Sequence, residues 1–207
     1  MGVLDYFTGS DKQRAKFIFD LIAPVYGLID SNIQKNYIEI TKLLNDTIPL
    51  SEFSILDVGT GTGGWLASIA KYSDKPAEGC DFSTKMLKEA KKRHTNLKFT
   101  QSDALTLNNY QDKSFDIVTA SFVLHGMKES ERAQILIQMK RIARKYVMIH
   151  DFYGKIHPVI IFLEHLEKSD YKHFKANFKQ EITTFFEQIK IITSNNGSAV
   201  YTGILNN

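Results

Sequence analysis

Cysteine is almost absent. Cys80 is the single one among 207 residues, so the chain can close no disulfide on itself and cannot build a cysteine-ligated metal centre. That scarcity suits a reducing compartment, and a cytoplasmic location is the expectation. Long apolar runs are missing as well: none approaches the roughly 20 residues that a membrane-crossing helix needs. The opening MGVLDYFTGSDKQR lacks the apolar centre of a secretory signal, and Tyr6 stands where a myristoylation pattern needs Ser or Thr. Charge of one sign is scarce: the formal net charge is only +3. No basic strip interleaved with aromatics is present, and both facts argue against a nucleic-acid partner. The six histidines include no H-x-x-x-H pair, so no metal is expected, although His165 and His173 could meet in space.

What remains is an ordinary globular composition, 43% hydrophobic and 24% charged, in a length that suits one domain with a full core. No repeat or low-complexity stretch interrupts it. Residues 11–23 read as a helix stopped by Pro24. Residues 31–45 follow as a second, with Ile33, Tyr37, Ile40 and Leu44 on one face. Pro49 and Ser51 mark the entry to alternating elements: strand 54–59, helix 63–72, strand 77–81, helix 83–93, strands 97–102 and 115–121, helix 129–143 and strand 145–151. Ser83 can cap its helix, whose buried stripe is Met86, Leu87 and Ala90. Ile135, Met139 and Ile142 form another. IKIITSNNGSAVYTGIL (189–205) reads as two strands around Asn196-Gly197, a hairpin signal. The alternation predicts an α/β fold with a doubly wound, mostly parallel sheet, in which ligands lie beyond the carboxyl ends of the strands. Asp57, Asp81, Asp103, Ser121 and Asp151 all fall near those ends.

The run ILDVGTGTGGW (55–65) followed by CDFS (80–83) carries the chemistry. An apolar stretch rises to Asp57 and breaks into Gly59, Gly61, Gly63 and Gly64, and a second strand closes on Asp81. Glycines there let a ligand approach the backbone, and an acid at Asp81 suits the vicinal hydroxyls of a ribose. Two nucleoside cofactors compete. Gly59, Gly61 and Gly64 satisfy the dinucleotide pattern G-x-G-x-x-G. Gly59, Gly61 and Gly63, with Asp57 ahead, satisfy acidic-x-G-x-G-x-G, and here the chain resembles the class I S-adenosylmethionine-dependent methyltransferases. KFTQSDAL (98–105) and SFDIVTASFVLHGM (114–127) look like that family's third and fourth strands, and the terminal antiparallel hairpin is its mark. The resemblance covers about residues 50–205. FIFDLIAPVYGLID (17–30) is similar to the F-D-x-[IV]-A-P-x-Y-D opening of quinone-biosynthesis C-methyltransferases, matching at Phe19, Asp20, Ile22, Ala23, Pro24 and Tyr26 and departing at Gly27.

The resemblance implies a Rossmann-like seven-stranded sheet with an antiparallel C-terminal hairpin and an N-terminal helical cap. One domain, 1–207, divides into cap 1–48, cofactor-binding core 49–152, hairpin 189–207 and, at 153–188, a stretch whose Phe162, Phe174, Phe178, Phe185 and Phe186 among lysines and histidines suggest a cover over the substrate, with ordinary amphipathic helices packed on the sheet as the other reading. It implies S-adenosylmethionine (SAM) as cofactor and S-adenosylhomocysteine (SAH) as product. Asp57, Gly59, Thr60, Gly61 and Gly63 would hold the methionine part, Asp81 the ribose, and Phe82, Asp103 and Ala104 the adenine, with Ser121 alongside and Tyr26 covering the cofactor. The acceptor would be a small, lipophilic molecule near His125, His150, Asp151 and Tyr153, with His125 as candidate base. Strand alternation sends His150 and Asp151 to opposite faces. Cys80 reads as a small buried thiol rather than a nucleophile. The Asn/Asp-Pro-Pro-aromatic motif of amino-group methylation is absent. An RNA or protein methyltransferase, and a non-catalytic SAM-binding module, are the alternatives. Oligomeric state is not specified by the residues.

Overall fold

The computed structural model describes residues 30–154, 169–195 and 197–206. Seven strands form one sheet in the order β3-β2-β1-β4-β5-β7-β6. They are β1 (Ile55–Val58), β2 (Ala77–Asp81), β3 (Lys98–Gln101), β4 (Phe115–Ser121), β5 (Ala143–Phe152), β6 (Gln188–Thr193) and β7 (Ser198–Ile204). The first five pair in parallel, whereas β7 runs antiparallel to both β5 and β6. β5 outruns its expected bounds because β4 and β7 flank it on both sides. The order reverses between β1 and β4, and a crevice beyond the carboxyl ends of strands opens at such a reversal.

Among the described residues, five helices flank the sheet: α1 (Asp30–Thr47), α2 (Gly64–Ala70), α3 (Thr84–Arg93), α4 (Glu129–Ile142) and α5 (Tyr171–Glu181). The period-2 alternation of β1 and β5 builds two apolar layers. Ile55 and Met148 join Ile40 and Leu44 of α1, Leu66 and Ile69 of α2, and Leu87 and Ala90 of α3. Leu56, Val147 and Ile149 join Ile135, Leu136, Met139 and Ile142 of α4 and Phe174 and Phe178 of α5. α3 and α4 therefore bury their predicted stripes, and α1 buries Ile40 and Leu44 of its predicted face with Tyr37 half-buried. Ser83 caps α3, its hydroxyl accepting from the Met86 amide at 3.2 Å.

The aromatics expected to cover a substrate lie elsewhere. Phe174, Phe178 and Phe186 are packed in the second apolar layer, and Phe185 leans on it. The 171–186 stretch is thus an amphipathic element of the core. Phe162 lies outside the described residues, as do Tyr26, Asn196, His165 and most of the expected cap. Of that cap, α1 is seated on the sheet through Ile40 and Leu44.

Candidate active site

The glycine turn after β1 winds through three left-handed residues, Gly59, Gly61 and Gly63, with φ of 71°, 54° and 82°. A side chain there would be strained. A Cβ on Gly59 would come within 2.6 Å of Val123, so the turn packs directly against the loop after β4. A Cβ on Gly61 would meet nothing within 4 Å. Space thus lies open over the middle of the turn. The Gly61 amide donates to Asp81 Oδ2 at 2.9 Å, and the Ser83 amide donates to Asp81 Oδ1 at 2.8 Å. Two amides orient the Asp81 carboxylate.

Asp57 is different. It is 1% exposed, and among the described residues neither of its oxygens has a hydrogen-bond partner. Burial pushes its carboxyl up to about 8; the nearby Thr60 hydroxyl offsets part of the rise and the Asp81 carboxylate adds to it. Thr60 Oγ1 itself is buried without a hydrogen bond. Buried polar atoms left unpaired at a turn with open backbone fit a polar, cationic ligand that completes them. The ammonium of SAM, the cofactor that the resemblance implies, would meet that requirement. On the adenine side, Phe82 is half-buried at the end of β2, and Asp103 Oδ1 accepts the Leu105 amide at 3.1 Å. Ala104 is half-buried beside it.

The loop after β4 bends at Phe122, which takes a left-handed φ of 52°. This conformation is uncommon for an aromatic residue. The bend carries His125 onto the end of β5, where its Nδ1 lies 2.8 Å from Asp151 Oδ1. The backbone amide of His125 also donates to Asp151 Oδ2, at 3.3 Å. An ionised carboxylate only accepts, so Nδ1 carries the proton and Nε2 is the basic nitrogen. The rings of Phe122, Phe152 and Phe174 surround the imidazole at 6.3, 4.6 and 6.4 Å.

His150 and Asp151 do diverge, as alternation requires, but His150 is fully buried. Its Nδ1 and Nε2 lie 3.0 and 2.9 Å from the hydroxyls of Ser121 and Ser198, tying β4, β5 and β7 together. It stacks on Trp65 at 4.7 Å. Burial lowers it to about 4, with Asp151 opposing, so it is neutral. His150 and Ser121 therefore form a wall, and Tyr153 is 38% exposed at the rim. Tyr37 of α1 and Trp65 of α2 complete that wall, with Tyr37 5.4 Å from Trp65 and 5.6 Å from His150. Sequence reading had placed Tyr37 only on a helix face and left Trp65 without a role. Cys80 is buried, and burial pushes its thiol well above the usual range, as a structural residue.

Residues 55–146 match a family described as a methyltransferase domain. Over that stretch the chain is similar to methyltransferase domains. The dinucleotide alternative falls away. Demethylmenaquinone methyltransferase of Chlorobaculum tepidum is 33% identical over 134 residues, 58% of this chain and 55% of that protein. Its counterpart in Thermotoga maritima is 31% identical over 147 residues, 66% and 60% of the two chains. The chain thus spans little more than half the length of these relatives. Among solved structures, a SAM-dependent methyltransferase from Thermotoga maritima superposes with a TM-score of 0.69 at 18% identity, over 91% of this chain and 98% of that one. Magnesium protoporphyrin IX methyltransferase from Synechocystis with bound SAH gives 0.62 at 16% identity, over 84% and 83%. The fold of the methyltransferase domain is shared with both.

Proposed function

We propose that the protein methylates a small, lipophilic acceptor, using the His125–Asp151 pair to take up the proton that the acceptor loses. The 2.8 Å contact between these side chains carries the reading. When bound, SAM supplies an electrophilic methyl group on a cationic sulfur leaving group. Asp57, Thr60 and the glycine turn hold its methionine part, Asp81 its ribose, and Phe82, Asp103 and Ala104 its adenine. The contact of Gly59 with Val123 sets this turn against the loop of His125. An acceptor held there forms its new bond to the methyl carbon as the carbon–sulfur bond breaks, and its proton passes to His125 Nε2. Asp151 stabilises the imidazolium so formed. The phenylalanine rings exclude water, which aligns the partners and favours an apolar, planar acceptor.

The names of the relatives, acting on demethylmenaquinone and on a porphyrin, point the same way. Among the described residues no helix is long and apolar enough to cross a membrane. The buried, unpaired Cys80 suits a reducing cytoplasm.

The test is transfer of labelled methyl from SAM to 1,4-naphthohydroquinone kept reduced. Transfer is expected, with His125→Ala lowering kcat about 100-fold or more and leaving SAH affinity intact. Full activity of His125→Ala would remove the base. A protein that binds SAH yet methylates neither this nor any other apolar hydroxylated ring would be a binding module instead.

A further inference from the structure

Arg132, in the first turn of α4, is 0% exposed. All five of its N–H groups have acceptors. Nε and Nη2 form a fork onto Glu181 at 2.7 and 2.6 Å. Nη1 reaches Asp170 at 2.9 Å and also the carbonyl of Met127. Nη2 lies 3.1 Å from His173 Nδ1. Burial alone would lower its pKa, but Glu181 and Asp170 more than offset this, so the guanidinium is held as a cation. Glu129, His173 and Glu181 come close enough to suggest a cation site. Arg132 already places its positive charge on that cluster.

Met127 ends the short 3-10 turn Leu124–Gly126 that carries His125. Asp170 and Glu181 bracket α5, whose Phe174 lies beneath the guanidinium at 5.7 Å and beside His125 at 6.4 Å. The imidazole is thus fixed from two directions. Asp151 holds its ring from β5, and Arg132 holds its backbone turn against α5.

We propose that Arg132 is the positioning residue for His125, clamping the 124–127 turn to α5 so that the imidazole stays on Asp151. This rests on the reading of His125 as the base. A rigid planar fork suits the task, because lysine can reach only part of so divergent a set of acceptors. Arg132 touches neither the glycine turn nor Asp81, so its effect belongs to the acceptor side.

The experiment is long-range 1H–15N NMR of the imidazoles, with His125 assigned by His125→Asn, alongside calorimetric titration with SAH. In the wild type His125 is expected as the Nδ1-protonated tautomer. In Arg132→Gln the signal should move to a mixture of tautomers, Arg132→Lys should restore it in part, and SAH affinity should change by less than about threefold. A His125 signal in Arg132→Gln that matches the wild type would overturn the proposal. So would a loss of SAH affinity that parallels every change in the ring. Should Arg132→Gln not fold, Asp170→Ala removes one acceptor at the partly exposed edge and should shift the same signal in the same direction, an unmoved signal again counting against the clamp. A wild-type His125 protonated at Nε2 instead would refute the base itself, an outcome separate from either result with Arg132.

Discussion

A carboxyl group buried with both oxygens unpartnered, as at Asp57, ionises only at a cost. Its raised pKa of about 8 against an ordinary 3.8 means that the folded state holds its proton longer than the unfolded chain. The stability contributed by neutral Asp57 is therefore full below about pH 4 and lost as pH rises through 8. Its decline should be visible between pH 6.5 and 8, at about 1 kcal/mol per pH unit, as falling urea midpoints that Asp57→Asn flattens. A cationic ligand beside it favours the ionised form. Binding of SAH near pH 7 should consequently release close to one proton, read from binding heats in buffers of different ionisation enthalpy, and affinity should rise with pH up to about 8. Binding heats that do not depend on the buffer would contradict this role. His150 works with the opposite sign. Its pKa of about 4, lowered from 6.5 by burial, gives stability that is present above about 6.5 and lost as pH falls through 4, up to about 3 kcal/mol in all. The single tryptophan, Trp65, is stacked on that ring, so its fluorescence should change over the same acid range, and a His150→Gln variant should lose both effects.

At the scale of elements, the coupling between β2 and the glycine turn is steric. A Cβ on Gly79 would stand 2.6 Å from the Thr60 hydroxyl and 2.9 Å from its Cβ. Gly79→Ala must push the turn out of place, and SAH binding should weaken about tenfold or more while the fold persists. Unchanged affinity would mean that the turn can yield without consequence. At the other end of the sheet, a Cβ on Gly203 would meet the Phe186 ring at 2.4 Å, so Gly203→Ala should cost about 1–3 kcal/mol in urea unfolding. Neither contact could be read from the sequence, since 19 and 17 residues separate the partners along the chain. What could be read were features carried by local periodicity: the buried stripes of α3 and α4, the Ser83 cap, and the strands that carry Asp57 and Asp81. The aromatics of residues 171–186 left two readings open for the same reason. A buried helix stripe and a lid stripe have the same spacing, and only tertiary packing distinguishes them.

For the whole molecule, the doubly wound sheet and its antiparallel edge followed from the alternation of elements and the final hairpin. The site was legible in parts. Its cofactor half lies in a continuous motif, so Asp57, the glycines and Asp81 stood out together. The half proposed for the acceptor is assembled from β4, β5 and α5. His125 and Asp151 were each visible as strand-end residues, but their pairing spans 26 positions and leaves no local signature. Tyr37 and Trp65 join the wall only because α1 and α2 pack on one face of the sheet. The proposed function requires that SAM bind at the carboxyl ends of β1 and β4 through Asp81 and the glycine turn. Calorimetric titration with SAH, with NAD in parallel, tests this most directly on the wild type and on Asp81→Ala. The account predicts one site for SAH, none for NAD, and a marked loss of SAH affinity in the variant. Binding of NAD in place of SAH, or an Asp81→Ala protein that binds SAH as tightly as the wild type, would contradict it.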